Sequence, residues 1–416
     1  MIRLHCLRLC VLLFSTLVLS AAVGTAHATD QPAAARETVR PEVGKPLQAG
    51  RDLAKTQKYK DALAKIAEAD AVSNKTAYES FLIQQMRGSI AMSAGDSDTA
   101  IKAFEAVVAS GRLPAAEQTR IVQALAGLYY RNKEYAKAAA SAARYYKDGG
   151  NDPAMRSVLV QSYYLGNDCA SVAKLLNGAT NSEESGSRKP AEEELQILAN
   201  CYLKQKDTGG YVAATEKLAT WYSKKEYWTD LLSRIQRKPG FSDRLALDVF
   251  RLKRTTGNLN RSADYMEMAQ LALQAGASAE AKKIVDQGFS SGALGTGSDA
   301  DRHKRLRDLV VKTLAENEKT LAASTADAES AKDGTALVNI GFNQAAAGQT
   351  DKGLAQMEKG LRKGGLKRPE DARLHLGIAY LVAGQKAKAV QTLKAVQGND
   401  GTADLARLWI LQASHG

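Results

Sequence analysis

Three histidines lie beyond the N-terminal stretch of this 416-residue chain, His303, His375 and His415, and none stands where it could share a metal. Zinc or acid–base chemistry needs ligands or carboxylates held together, and neither H-E-x-x-H nor C-x-x-C spacing occurs. His375 follows Leu374 within a helical pattern and reads as a packed helix residue. The glycines at Gly292, Gly295 and Gly297 lack the following Gly-Lys-Ser/Thr of a phosphate loop, and no G-x-S-x-G elbow is present. The expectation is therefore no catalytic residue, no metal, no cofactor and no enzyme. Cys169 and Cys201 read as small buried thiols that should come close enough to pair, with proximity expected ahead of bonding. The densest basic run, Arg302-His303-Lys304-Arg305-Leu306-Arg307, fans its charges around most of a helix, which suits a solvated face better than a groove-reading element.

The elements that must position these residues announce themselves by a recurring spacing. A small residue is followed three later by an apolar or aromatic one, nine after that by another small residue, and four on by an apolar one. Gly88, Ala91, Ala100 and Phe104 show it, as do Ala126, Tyr129, Ala138 and Ala142, and Gly377, Tyr380, Ala389 and Leu393. Small residues are needed where two antiparallel helices touch, and large ones fill the space beside them, so each unit is a helical hairpin. The expected fold is all-α, a helical-hairpin solenoid or superhelix, and such arrays bind more often than they catalyse.

The chain opens with Arg3 and Arg8, continues through an uncharged stretch over residues 9–23 and reaches Ala26-His27-Ala28, the three parts of a secretory signal. This predicts a signal peptide over 1–28, a periplasmic product and no transmembrane segment in the mature chain. The formal charge of +12 falls to +10 once Arg3 and Arg8 are removed. Residues 211–416 carry 31 Lys/Arg against 23 Asp/Glu, so the C-terminal half is the basic half. Export argues against nucleic acid as its partner.

Residues 29–46 hold Pro32, Pro41 and Pro46 without apolar periodicity and read as a flexible leader. A helical array is expected over 47–290, with an enlarged loop at 178–191 and a divergent pair at 225–257 broken at Pro239-Gly240. A Gly-rich linker and long helix, ending near 323, should occupy 291–332. A final pair of hairpins and a capping helix should fill 333–416, with Leu405, Leu408, Trp409 and Ile410 on one helical face.

These hairpins resemble the tetratricopeptide repeat. Leu376-Gly377-Ile378-Ala379-Tyr380, followed by Ala389 and Leu393, is the cleanest copy, and Tyr59 with Ala62 and Tyr135 with Ala138 match the start of the repeat's second helix. Val160, Val172, Tyr211 and Gln344 depart from the pattern. Residues 39–44, 238–248, 265–269 and 333–339 further resemble exported repeat proteins described as components of TonB energy-transduction systems. In this family the first helix of each hairpin lines a concave face. Carrying that over by spacing, the implied peptide- or protein-binding residues are Gln85, Gln123, Tyr130, Arg131, Gln161, Tyr164, Gln196 and Asn200. The last hairpins would show an apolar inner face of Val338, Phe342, Leu374, Ile378, Leu381 and Val382, which the C-terminal helix should cover.

The implied function is a non-enzymatic scaffold holding a protein or peptide of the cell envelope, in support of a TonB-type transport system. The alternative is an assembly or secretion factor for outer-membrane protein or exported polysaccharide. An enzyme with an unrecognised site ranks last.

Overall fold

A computed structural model describes residues 37–186, 189 and 191–414. The expected signal peptide lies outside the described residues. The described residues form twenty α-helices and one 3-10 turn, with no strand among them. The chain divides into two compact units at Leu113/Pro114.

The first unit holds two antiparallel pairs, α1 (Pro41–Lys55) with α2 (Tyr59–Asp70) and α3 (Ala77–Ala94) with α4 (Ser97–Ala109). A Cβ placed on Gly88 would sit 2.5 Å from the Phe104 ring, so the small-to-large spacing is a direct steric requirement of the hairpin. Helix α1 starts at Pro41, before the expected boundary at residue 47. Proline suits the first helical turn, where its missing N–H has no acceptor to lose, and Val43 and Leu47 are both buried one turn apart. Arg40 fixes this start by forking onto Glu79 at 2.9 and 2.8 Å, while the carboxylate also closes a capping box with Thr76 at the head of α3. Hydrogen bonds from Arg40 and from the Thr76 backbone hold the Glu79 carboxyl down at about 2.

The second unit begins with three pairs: α5 (Ala115–Arg131) and α6 (Tyr135–Lys147), α7 (Pro153–Leu165) and α8 (Cys169–Gly186), α9 (Glu192–Lys204) and α10 (Thr208–Tyr222). The α8 backbone is helical through much of the segment read as an enlarged loop. Cys169, at the first position of α8, is bonded to Cys201 in α9 with Cα atoms 5.2 Å apart. Proximity was foreseen. The reading as two separate thiols is corrected, because the two Cα atoms fall inside the range a disulfide spans.

The divergent pair is α11 (Lys225–Gln236) and α12 (Ala246–Thr255), separated by a turn at Pro239-Gly240 and the 3-10 segment Asp243–Leu245. Next come α13 (Ser262–Gln274), α14 (Ser278–Ser290) and α15 (Ala300–Ser330). Helix α15 runs past the expected end near 323, since its Ala-rich stretch meets no glycine or proline until Gly334. It buries His303, Leu306 and Val310 and leaves Leu309 in solvent. The chain closes with α16 (Thr335–Ala347), α17 (Thr350–Lys363), α18 (Pro369–Val382), α19 (Lys386–Lys394) and α20 (Thr402–Ala413). A Cβ on Gly377 would lie 2.5 Å from Leu393, repeating the Gly88 geometry.

Helix α20 packs on α18 and α19 as a cap should, and it also reaches back to α10 and α12. The largest buried cluster joins Leu231 and Leu232 of α11, Leu245 and Val249 to Val338, Leu374, Ile378 and Leu408. The expectation that the C-terminal helix alone covers the inner face of the last hairpins is therefore corrected. The divergent pair folds against that face as well, a contact between segments more than a hundred residues apart that no local periodicity encodes.

Candidate functional site

The first helices α5, α7 and α9 carry all the expected binding residues but Gln85. Each of these helices turns its apolar positions inward, Leu125 and Tyr129 on α5, Leu159 and Val160 on α7, Leu195 and Leu198 on α9. Next to those positions Gln123, Tyr130, Gln161 and Tyr164 are half-buried, and Gln196 is exposed.

There they bond to neighbouring carboxylates, amides and phenols. Gln123 Nε2 donates to Asp152 Oδ2 at 2.8 Å, and Asp152 in turn caps α7 through the Ala154 amide. Tyr130 Oη donates to Gln161 Oε1 at 2.5 Å, and Gln161 Nε2 donates to Glu193 Oε1 at 3.0 Å. Gln196 Nε2 donates to Tyr227 Oη at 2.8 Å, and that phenol donates to Glu192. Arg156 forks onto Glu194 at 2.8 and 3.1 Å, linking α7 to α9 once more. Lys204 Nζ sits 4.2 Å from the Tyr164 ring centre, a cation–π contact across the ends of α7 and α9.

The structure thus gathers Gln123, Tyr130, Gln161, Tyr164 and Gln196 into one interhelix ladder. Arg131 and Asn200 are exposed beside it. Gln85 belongs to the first unit, half-buried on α3, where its carbonyl accepts the Ser89 hydroxyl at 3.0 Å. The amides that looked ready for a ligand backbone are largely engaged with neighbouring carboxylates and phenols. Burial pushes the Tyr130 and Tyr227 phenols up, and hydrogen bonds from Lys224 and Tyr227 pull the Glu192 carboxyl down. Each of these three groups is thereby held further into its neutral-pH state.

Two exposed leucines complete this face. Leu165 is 47% exposed and Leu203 46%, among the few large apolar side chains left in solvent. Leu165 follows Tyr164 and Leu203 precedes Lys204, so the spacing that picks out Tyr164 and Lys204 also points to them. Being apolar, they give no hydrogen-bonding signal in the sequence.

At the C-terminal hairpins the first-helix face is closed. Val338, Phe342, Leu374 and Ile378 are buried, Leu381 is partly so, and Val382 alone of the expected set is well exposed. A polar clasp surrounds the contact. Arg244 forks onto Asp371 at 2.9 and 2.8 Å and reaches Asp400 at 2.7 Å, and Lys238 pairs with Asp404 at 2.8 Å. Deeper in, His375 Nε2 lies 3.0 and 3.2 Å from the Asp248 oxygens, and Arg251 bonds both Asp248 and Glu280 at 2.7 Å. The His375 ring stacks on Phe342 at 4.4 Å and the Arg251 guanidinium lies 4.6 Å from the same ring. Burial alone would raise the Asp248 carboxyl, but His375 and Arg251 outweigh it and hold it well below the usual range.

Nothing here assembles a metal centre: among the described residues no three His, Cys, Asp or Glu side chains gather to hold an ion. His303 receives the Gly295 amide at 3.1 Å and shares a hydrogen bond with Ser262 at 2.9 Å, which makes it a brace for the Gly-rich turn. No helix among the described residues is long and apolar enough to cross a membrane.

Residues 86–153 and 343–404 match the family model described as tetratricopeptide repeat. No curated protein sequence matches the chain. Among solved structures, the TPR2AB-domain:pHSP90 complex of yeast Sti1 is 11% identical, covering 89% of this chain and 98% of its own with a TM-score of 0.26. The TPR domain of P58(IPK) is 14% identical, covers 90% and 97%, and scores 0.24. Naa15/Naa10 bound to HypK-THB is 16% identical, covers 85% and 58%, and scores 0.33. The match to the tetratricopeptide repeat is confined to those two stretches.

Proposed function

We propose, from the premise that this is a tetratricopeptide-repeat protein and hence a protein–protein interaction scaffold, that it docks a partner on the first-helix face of α5, α7 and α9 and catalyses nothing. The observation that carries this reading is the exposure of Leu165 and Leu203, next in sequence to the half-buried Tyr164 and to Lys204, which lies over the Tyr164 ring. Exposed aliphatic and aromatic area is the usual source of binding energy, and here it rests on a ladder that is already ordered, so little entropy is lost on docking. The partner is a protein segment of the cell envelope, and the system served is of the TonB type. Support for export comes from the Arg3/Arg8, apolar and Ala-His-Ala order at the N-terminus, and from the Cys169–Cys201 disulfide, a bond that persists in oxidising compartments. Support for the TonB association is the resemblance in residues 238–248 and 333–339.

The test is affinity capture from envelope extracts, comparing the wild-type chain with Leu165→Ala/Leu203→Ala. Both leucines are half exposed, so the variant should melt as the wild type does while its captured partner falls at least tenfold. Equal capture by the two proteins would remove this face as the docking surface.

A further inference from the structure

The two exposed leucines of the docking face both stand beside the disulfide. Leu165 is the last residue of α7, and the short turn Gly166-Asn167-Asp168 separates it from Cys169 at the head of α8. Leu203 follows Cys201 and Tyr202 in the last turn of α9. The turn between Leu165 and Cys169 has little freedom: the Asp168 amide donates to the Tyr163 carbonyl at 2.8 Å, and the Asp168 carboxylate accepts the Ser171 amide at 3.0 Å. With the two Cα atoms 5.2 Å apart, the bridge therefore fixes the end of α7 relative to the end of α9, and with it one leucine relative to the other.

The polar ties between these helices act further from Leu203. Arg156 and Gln161 of α7 bond Glu194 and Glu193, which lie in the first turn of α9. The last turn of α9 meets Lys204 over the Tyr164 ring and the Asn177 amide, whose Nδ2 donates to Tyr202 Oη at 2.8 Å. Both are weak contacts that thermal motion opens, whereas the covalent bond holds. Cys169 and Cys201 are buried among Val160, Val172, Leu176 and Leu198, so once the bond has formed an attacking thiolate has no path to it.

We infer that the Cys169–Cys201 bond makes the docking face competent by holding Leu165 and Leu203 at one spacing, and that the chain docks its partner only after the two thiols are oxidised. The inference rests on the docking reading above and adds its regulation. As the S–S bond forms, the two S–H groups give up two electrons and two protons; a disulfide-bearing thiol oxidant takes them and leaves as the dithiol. A chain in a reducing compartment keeps both thiols and a looser pair of anchors, and transfer to an oxidising one closes the bond. Because the bridge is then sheltered, the device sets once and does not cycle.

The experiment uses the full chain with the disulfide formed. A random ten-residue peptide library displayed on phage is selected on it, and a selected peptide whose binding, followed by fluorescence anisotropy, is lost with Leu165→Ala/Leu203→Ala serves as the probe. Its Kd should rise about tenfold for wild type folded and kept in dithiothreitol, as expected when the aligned arrangement falls to about one tenth of the population. Cys169→Ala/Cys201→Ala should give the same rise with helical circular dichroism retained, and the reduced wild type carries the comparison where that variant does not fold. Arg244→Gln lowers the melting temperature away from this face and should leave the Kd unchanged, which separates positioning from general stability. An equal Kd for bonded and reduced chains, or an equal rise in Arg244→Gln, overturns the inference and leaves the docking reading standing. If no selected peptide depends on the two leucines, the docking reading falls and this inference with it.

Discussion

The first helices of the hairpins from α5 to α9 and those of the C-terminal pair, α16 and α18, occupy the same place in the same motif and meet opposite fates. The former carry amides, tyrosines and carboxylates at their inner positions, bond to one another edge to edge, and leave Leu165 and Leu203 in water. The latter carry Val338, Phe342, Leu374 and Ile378 there, and the divergent pair of the same chain closes over them. Burying each such side chain is worth about 1.5–3 kcal/mol, enough for four of them to hold a segment that polar contacts alone would not. The hairpin backbone is thus neutral about what lies on it. Its inner residues decide whether the face is kept for a partner or used internally.

The sharpest way to break this contrast is at Arg251. Arg251→Met leaves Asp248 and Glu280 buried without their shared cation and should cost about 3–5 kcal/mol, seen in urea unfolding followed by tryptophan fluorescence, because Trp228 and Trp409 both lie in the closed core. A loss under about 1 kcal/mol would mean that the charges are not buried at the contact.

Next in size is the disulfide, which joins α8 to α9 under the open face. Cys169→Ala/Cys201→Ala should lose about 2–4 kcal/mol for a bridge spanning 32 residues. Differential scanning calorimetry in the presence and absence of reductant checks it on the unmodified chain: the wild type should shift and the variant should not.

Acid should separate the two regions without mutation. The hydroxyl of Thr402 and the Arg244 guanidinium hold Asp400 down at about 2, and Asp248 is likewise depressed. A carboxyl whose folded pKa lies below its unfolded value of about 3.9 stabilises the fold above that value and ceases to as pH falls toward the folded one. The clasp should loosen between about pH 4 and pH 2, with a red shift of tryptophan emission. Emission unchanged down to pH 2 would mean that the clasp does not secure the closed face.

The smallest effect belongs to the ladder. Tyr130→Phe removes one hydrogen bond to a half-buried amide and should cost about 1 kcal/mol, and a double-mutant cycle with Gln161→Ala should return a coupling of similar size. Zero coupling would show that the two side chains act separately and that the open face is not ordered in advance.

Much of this architecture was legible before any coordinates. Gly88 with Phe104 and Gly377 with Leu393 mark helix contacts within single hairpins, where partners lie sixteen residues apart and steric demand appears directly as spacing. The same spacing placed Gln123, Tyr130, Gln161 and Tyr164 on one side of their helices. It also placed Leu165 and Leu203 there, but being apolar they gave no hydrogen-bonding signal. The start of α1 was missed for a different reason: Pro41 and Pro46 look like leader residues until the Arg40–Glu79 contact shows what fixes them.

By itself, then, the amino-acid order determined the hairpins, their small-residue seams, and which residues face the inner side of each. Tertiary structure alone decided that the amides bond to neighbouring carboxylates and phenols, that Cys169 and Cys201 are joined, and that Asp248 and Arg244 meet His375 and Asp371 across 127 residues. The physical reason is range. A hairpin's packing depends on neighbours one or two turns away, whereas closure of the last hairpins depends on the path of the chain through the Pro239-Gly240 turn, the 3-10 segment and α12. That path brings Leu245 and Val249 into one buried cluster with Leu374 and Ile378, and no periodicity in either segment records the other.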